Sequence, residues 1–298
     1  MVNFSVFNEL SLPLKELSEF EDFFKVLESL KSYGLTKIRT DKHFKEYHEI
    51  LPNQTFQELV GQLKDRDKKR RLLSFIKNTL INIESPLILD EEIKDNEEAI
   101  GDEYIYNQQS TFGGLACSHI WDTMAVSFHS SDEWGNDVIV LQKNAIDISI
   151  RHASNIEHLK EHTEFFKDFE AYQKLGITQE NFWERRDELF ADKIIFCKEI
   201  EKQIQNIDKV VFDQAIGILR DVEKNRKEIT DYNYSGESKS VKDDENLKKH
   251  RYFTIDNEKV FFENHIKSLP NANRIYFLEH KKKIYIGYIG KHLPTKKY

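Results

Sequence analysis

Apolar residues recur at helical spacing through much of the first hundred positions. Phe20, Phe23 and Leu27 predict one helix, with Ser18–Glu21 as its capping box and Gly34 as its stop signal. A second capping box, Thr55–Glu58, precedes another apolar run. We therefore expect residues 1–100 to be mostly helical.

The pattern changes after an acidic stretch at 87–103, which we interpret as a loop. Short β-rich runs bounded by turn residues then predict strands, with a small-residue helix at Gly113–Cys117 between them. The predicted strands are Tyr104–Tyr106, Ala125–Phe128, Asp137–Leu141 and Ile146–Ile150. This stretch predicts a small α/β layer.

Helical spacing returns from about 160 to 225. Phe166, Phe169 and Tyr172 supply an aromatic stripe, and we expect the apolar residues of Ile194–Ile204 and Val210–Leu219 to continue it. The next segment is polar and charged, and it predicts a linker or loop at 231–249.

The C-terminal fifty residues alternate as strands do. Tyr252–Ile255 reads as a strand that turns at Asp256-Asn257. Arg274–Leu278 and Ile284–Ile289 predict an antiparallel hairpin closed by residues 279–283.

Charge separates this end from the rest of the chain. Residues 248–298 contain twelve Lys/Arg and four Asp/Glu, a net of +8, whereas the whole chain carries −8. Residues 1–247 must therefore sit near −16. A basic surface on an acidic body favours an anionic partner such as nucleic acid. The alternative is a solvated basic tail without a function.

The composition favours a cytoplasmic protein over a secreted or membrane-spanning one. We expect no secretory signal at the first residues, and no apolar run approaches the roughly 20 residues that span a bilayer. Cys117 and Cys197 lie far apart in apolar surroundings, which predicts buried free thiols and a cytoplasmic location.

The basic end contains the residue types that metal-independent RNA cleavage requires. That reaction needs a base for the 2′-hydroxyl, positive charge on the phosphate and an acid for the leaving oxygen. The catalytic candidates are Arg274, Tyr276, His292 and His265. The candidates for nucleic-acid binding are Arg251, Lys267, Lys281, Lys282, Lys283 and Lys291. The alternative is a hairpin that only docks on a partner.

Other motifs carry less chemistry. Gly113-Gly114 before a helix suits either an anion or close packing, and packing is the preferred interpretation. His158 and His162 are four residues apart and could share a metal, although their charged flanks favour an exposed helix. Asp137 and Lys143 have the acid-then-lysine order of some metal-dependent nucleases. The second carboxylate of that motif is expected two residues before the lysine, where this chain has Leu141. We predict no metal and no cofactor.

Two resemblances add to this picture. Phe262–Lys267, Arg274–Phe277 and Lys283–Leu293 resemble a RelE/ParE-type toxin module, in which helices precede an antiparallel sheet that carries basic and aromatic residues. Phe7–Leu12, Phe190–Cys197 and Ser235–Ser238 resemble a poorly characterised bacterial family associated with phage defence.

The predicted fold class is α+β. We expect a large, mainly helical, acidic body with a small α/β element at 1–230, a linker at 231–249 and a basic RelE-like sheet module at 250–298. The leading hypothesis is a bacterial defence or toxin-type protein that binds nucleic acid, RNA in preference to DNA, with RNA cleavage left open. The alternative is a non-enzymatic adaptor that docks on a protein of a defence complex. Neither hypothesis involves a membrane.

Overall fold

The computed structural model describes residues 2–41, 48–74, 80–83, 104–111, 113–143, 145–232, 234–267, 269 and 273–296. They form two units. The N-terminal unit holds the described residues between 3 and 174, and the C-terminal unit holds those from 175 onward, with Val2. Both helices and sheets are present, so the mixed class is confirmed. The division falls after residue 174 instead of at the predicted 230.

A large sheet dominates the N-terminal unit, although its first hundred residues had been predicted as mostly helical. The strands are β1 (Phe4–Phe7), β2 (Lys37–Asp41), β3 (Glu49–Leu51), β4 (Gln54–Thr55), β5 (Leu80–Ile83), β6 (Tyr104–Tyr106), β7 (Gln109–Ser110), β8 (Ala125–Val126), β9 (Val138–Lys143) and β10 (Ile146–Ala153). The helices are α1 (Glu19–Ser32), α2 (Phe56–Gln62), α3 (Arg66–Ser74), α4 (Gly114–Ile120), α5 (Ile156–Glu161) and α6 (Thr163–Lys174).

The eight-stranded sheet has the order β5-β2-β1-β8-β10-β9-β6-β7. The first five strands in that order are parallel, and the last three pair antiparallel. Parallel strands are covered on both faces and lack the alternation of a half-exposed strand. All four residues of β1 are buried. This explains why the short apolar run of β1 was not recognised as a strand.

Aromatic rings of α1, of β1 and of the segment that follows β8 form part of the core. Phe23 stacks on Phe128 with ring centroids 4.1 Å apart, and its centroid lies 5.9 Å from that of Phe7. The capping box at Thr55–Glu58 is confirmed. Ser18 precedes α1 but its side chain makes no capping hydrogen bond, so that capping box was wrong. Gly34 follows the helix with a φ of +98°, as its stop signal predicted.

The C-terminal unit begins well before the basic segment. Its strands are β11 (Ile194–Phe196), β12 (Tyr234–Gly236), β13 (Tyr252–Ile255), β14 (Glu258–Phe261), β15 (Asn264–Ile266), β16 (Asn273–His280) and β17 (Lys283–Lys291). Its helices are α7 (Phe182–Arg185), α8 (Ile200–Ile204), α9 (Lys209–Glu223), α10 (Lys239–Lys242) and α11 (Glu245–Lys248). The predicted linker thus contains a strand and two helices, and 194–196 is a strand where a helix was expected.

A five-stranded sheet of order β11-β17-β16-β15-β12 organises this unit. β11 pairs parallel with β17, and the other pairs are antiparallel. The predicted hairpin is present, and Lys281 and Lys282 close it as a two-residue turn with φ values of 48° and 65°. Asp256-Asn257 closes the separate β13–β14 hairpin in the same left-handed conformation.

Both cysteines are free and buried, as predicted. Among the described residues, no helix is long and apolar enough to cross a membrane.

Candidate functional site

Neighbouring strands of the C-terminal sheet bring the predicted catalytic side chains together. His265 on β15 lies opposite Tyr276 on β16, and Ser235 on β12 lies opposite His265 from the other side. Directly opposite residues of antiparallel strands project from the same face. Arg274, two residues before Tyr276, projects from that face too. The sheet therefore presents a row of polar side chains across three strands.

The rings of this row are in contact with one another. The His265 centroid lies 4.9 Å from that of Tyr276 and 5.7 Å from that of His292, which follows β17. His265 is only 1% exposed and Tyr276 is wholly buried, whereas Arg274 and His292 are half-buried. Solvent or a ligand can therefore reach Arg274 and His292 most directly, with the other two rings behind them.

A buried ion pair lies beneath these rings. Arg251 Nε is 2.7 Å from Glu237 Oε1, and both side chains are almost fully enclosed. The Arg251 guanidinium lies 5.9 Å from the Tyr276 ring centroid. Glu237 Oε1 also lies 3.7 Å from His265 Nδ1, and Ser235 Oγ lies 3.3 Å from His265 Nε2. Residues from four segments of the chain thus meet at one place.

Burial and positive charge keep both imidazoles neutral. Burial lowers the pKa of His265 to about 2, and the charges of Arg274 and Lys267 act in the same direction. Burial also lowers the pKa of His292 to about 4, with Arg274 again contributing. Burial raises the pKa of Tyr276, so its hydroxyl stays protonated. At neutral pH the site therefore offers unprotonated imidazole nitrogen beside permanent positive charge.

The six predicted nucleic-acid-binding residues lie at three places. Two lie near the rings, Lys281–Lys283 lie at the hairpin turn, and Arg251 lies in the interior. Lys267 is half-buried beside the rings, and Lys291 is exposed at the end of β17 next to His292. Lys281 and Lys282 are exposed at the hairpin turn, about 20 Å from Arg274 along the strand. Lys283 follows them and donates to the Asp192 carbonyl.

Arg251 differs from the others because it is wholly buried and paired with Glu237. Its predicted contact with phosphate does not fit this position. A guanidinium in the interior needs a carboxylate and carbonyl partners, and the chain supplies them here.

Sequence reasoning missed Glu237 and Ser235. Both lie in the polar segment that had been interpreted as a linker, where nothing local distinguishes a buried carboxylate from an exposed one. In the sequence, Ser235–Ser238 supports only the linker prediction and the family resemblance. The pairing of β12 with β15 is what places these two residues at the site.

The histidine and glycine motifs of the N-terminal unit form hydrogen bonds within that unit. Ser154 N–H donates to His158 Nδ1, while His162 Nε2 bonds to the Asp137 carbonyl. No group of three or more His, Cys, Asp and Glu side chains in the described part of the chain could hold a metal. The Gly114 N–H donates to the Glu9 carboxylate at 3.0 and 3.1 Å, which agrees with close packing at Gly113-Gly114.

Polar groups at the carboxyl ends of the parallel strands also bond to one another. Asn8 Nδ2 donates to Ser127 Oγ at 2.9 Å, and His152 Nε2 lies 2.7 Å from the same oxygen. β1 and β8 meet where the strand order reverses, which is the usual ligand position in open α/β sheets. All three side chains are wholly buried. The chain's own side chains thus fill this position, and we assign no site to it.

Comparisons with family models, with curated proteins and with solved structures gave no match to this chain. The functional interpretation therefore depends on the geometry of the C-terminal unit.

Proposed function

We propose that the C-terminal unit binds RNA and cleaves it without a metal, at the site formed by Arg274, His292, His265 and Tyr276. The observation that carries the proposal is the convergence of these four residues, chosen for their chemistry, on one face at one end of the sheet. The helices α8 and α9 precede the antiparallel strands in the chain, which is the arrangement that the RelE/ParE resemblance implied.

Each residue has a role that its environment supports. Arg274 is half-buried and permanently charged, so it suits the phosphate and the charge that develops on it. His292 is the more accessible of the two neutral imidazoles, so it suits the base. Tyr276 is protonated and buried, and its ring supports His265.

The reaction follows from these protonation states. His292 takes the proton of the 2′-hydroxyl, the 2′-oxygen bonds to phosphorus, and the bond from phosphorus to the 5′-oxygen breaks. His265 and His292 are both neutral when the reaction begins, so no imidazolium is in place to protonate the leaving group. Water supplies the proton to the 5′-oxygen. The hydroxide that remains then removes the proton from His292. The products are a 2′,3′-cyclic phosphate and a 5′-hydroxyl.

Incubation of the full chain with labelled RNA and DNA, with and without chelator, tests the proposal. We expect chelator-resistant cleavage of RNA alone, and binding that weakens steeply with salt. Arg274→Ala and His292→Ala should each lower cleavage by about 10²–10³-fold, while binding falls much less. Lys198→Ala and His280→Ala, which change exposed residues of the same unit, are the matched controls. Cleavage that chelator abolishes, or that both site variants retain, would contradict the proposal.

A second candidate is the adaptor that docks on a protein partner. The observation that favours it is that both edge strands of the sheet expose an apolar side chain. β11 and β12 expose Ile195 and Tyr234, which are 37% and 42% accessible. Edge strands with exposed apolar residues suit the addition of a partner strand. Absence of RNA cleavage, together with loss of cellular function in Tyr234→Lys, would favour this candidate.

The wider role that we propose is bacterial defence in the cytoplasm. The buried free thiols of Cys117 and Cys197 fit a reducing compartment.

A further inference from the structure

Arg251 joins parts of the chain that are distant in sequence. Its Nη1 donates to the Leu247 carbonyl at 3.0 Å and to the Pro294 carbonyl at 2.9 Å, and its Nη2 donates to the Leu293 carbonyl at 3.4 Å. Its Nε faces Glu237. A guanidinium can serve several acceptors at once because its N–H groups form a rigid fork. The segment that follows β17 is thereby held against the end of β12 and the start of β13.

The Leu293 carbonyl is shared between Arg251 and His292. His292 Nδ1 lies 2.7 Å from this oxygen. A carbonyl only accepts, so the proton of the neutral imidazole must be on Nδ1. Nε2 then carries the lone pair. The hydrogen bond therefore selects which nitrogen can act as a base.

Glu237 makes the buried guanidinium tolerable. Its carboxylate offsets the charge of Arg251 in a place that water does not reach, and it lies within 3.7 Å of His265 Nδ1. Without it, the guanidinium would tend to leave the interior and release the Leu293 and Pro294 carbonyls. Neither residue is placed to contact RNA, since both side chains are almost fully enclosed.

We infer that Arg251 and Glu237 are positioning residues that hold the Leu293 carbonyl, and through it keep His292 in the tautomer whose Nε2 is free to accept a proton. This inference rests on the proposed function for its catalytic meaning. Its structural content, the tautomer of His292, can be measured without any RNA.

Nitrogen-15 spectra of the histidines in the full chain test the inference at pH 7. We expect His292 of the unmodified protein to be protonated on Nδ1. Arg251→Lys keeps the charge but loses the fork, and Glu237→Gln removes the counter-charge, so both should shift His292 toward the Nε2-protonated form. Glu263→Gln, which breaks the half-exposed pair with Lys242 in the same unit, should leave the tautomer unchanged.

Kinetics separate positioning from stability. Arg251→Lys and Glu237→Gln should lower kcat on RNA by about 10- to 100-fold with KM changed less than about twofold, because the base is misplaced and binding is not. An Nε2-protonated His292 in the unmodified protein overturns the inference, even if neither variant folds. An unchanged tautomer in folded variants overturns it too. Absence of RNA cleavage by the unmodified protein defeats only the proposed function.

Discussion

Gly114 has almost no room for a side chain at the start of α4. A Cβ placed there would lie 1.9 Å from the Phe7 carbonyl oxygen and 3.0 Å from Glu9 Oε2. The first contact is with backbone of β1, so a rotamer change cannot relieve it. The close approach is also what allows the Gly114 N–H to bond to Glu9.

We therefore predict that Gly114→Ala lowers the free energy of unfolding by about 3 kcal/mol. Gly61→Ala is the matched control, because a Cβ at this helical glycine would meet nothing within 4 Å. It should be neutral or stabilising by up to about 1 kcal/mol, since alanine has the higher helix propensity. Urea denaturation of the two variants measures the difference, and equal midpoints would argue against the close packing described.

Helix α9 and strand β11 are joined by one carboxylate. Glu223, the last residue of α9, accepts hydrogen bonds from four consecutive backbone N–H groups, those of residues 191–194, at distances between 2.5 and 2.9 Å. The carboxylate is buried, so these bonds replace water at the start of the strand. The parallel pairing of β11 with β17 begins at this point.

We predict that Glu223→Gln lowers the free energy of unfolding by about 2–3 kcal/mol. The amide oxygen keeps its bonds, but the amide nitrogen cannot accept and leaves two buried N–H groups unsatisfied. Denaturant unfolding measures the loss, and faster hydrogen exchange of one amide pair, Ala191 with Asp192 or Lys193 with Ile194, would localise it to the start of β11. Glu184→Gln on the exposed face of α7 is the control. Similar effects of the two substitutions would show that the bonds to 191–194 contribute little.

Buried neutral histidines make the stability of the whole molecule sensitive to acid. Burial lowers the folded-state pKa of His152 to about 4 in the N-terminal unit, and that of His265 and His292 in the C-terminal unit is lowered too. In the unfolded chain each titrates near 6.5. Between the folded and unfolded values, the unfolded chain binds more protons, so stability must fall as pH falls.

We predict that the free energy of unfolding is nearly constant above pH 7 and decreases from pH 6.5 toward 4.5. Each of these histidines contributes a slope of at most about 1.4 kcal/mol per pH unit. Urea denaturation at several pH values measures the slope. His152→Gln should reduce it in the N-terminal unit, while His250→Gln, which replaces an exposed histidine, should not. A stability that stays flat down to pH 5 would contradict the buried neutral state.

Local patterns predicted the elements that depend on neighbours in sequence. The turn at Asp256-Asn257 and the hairpin closed within residues 279–283 were predicted because apolar strand-like runs border short turn segments. The helical stripes of α1, α6 and α9 were recognised because each buries one or more faces at a spacing of three to four residues. The same rule failed at Ile194–Phe196, where three apolar residues fit a strand as well as a helix.

The sequence by itself determined the basic C-terminal end, the two buried thiols and the alternating strand that carries Arg274 and Tyr276, whereas the strand that carries His265 was not predicted. Tertiary structure alone decided that β11 pairs with β17, at residues 90 positions apart, and that the segment at 231–249 completes the sheet. It also decided that Arg251 is buried against Glu237 while Lys281, Lys282 and Lys291 stay exposed. The physical reason is that the sequence identifies the charged residues but does not determine which of them are exposed to water. Only strand pairing between distant segments decides which of those charges lose their water and must find a partner.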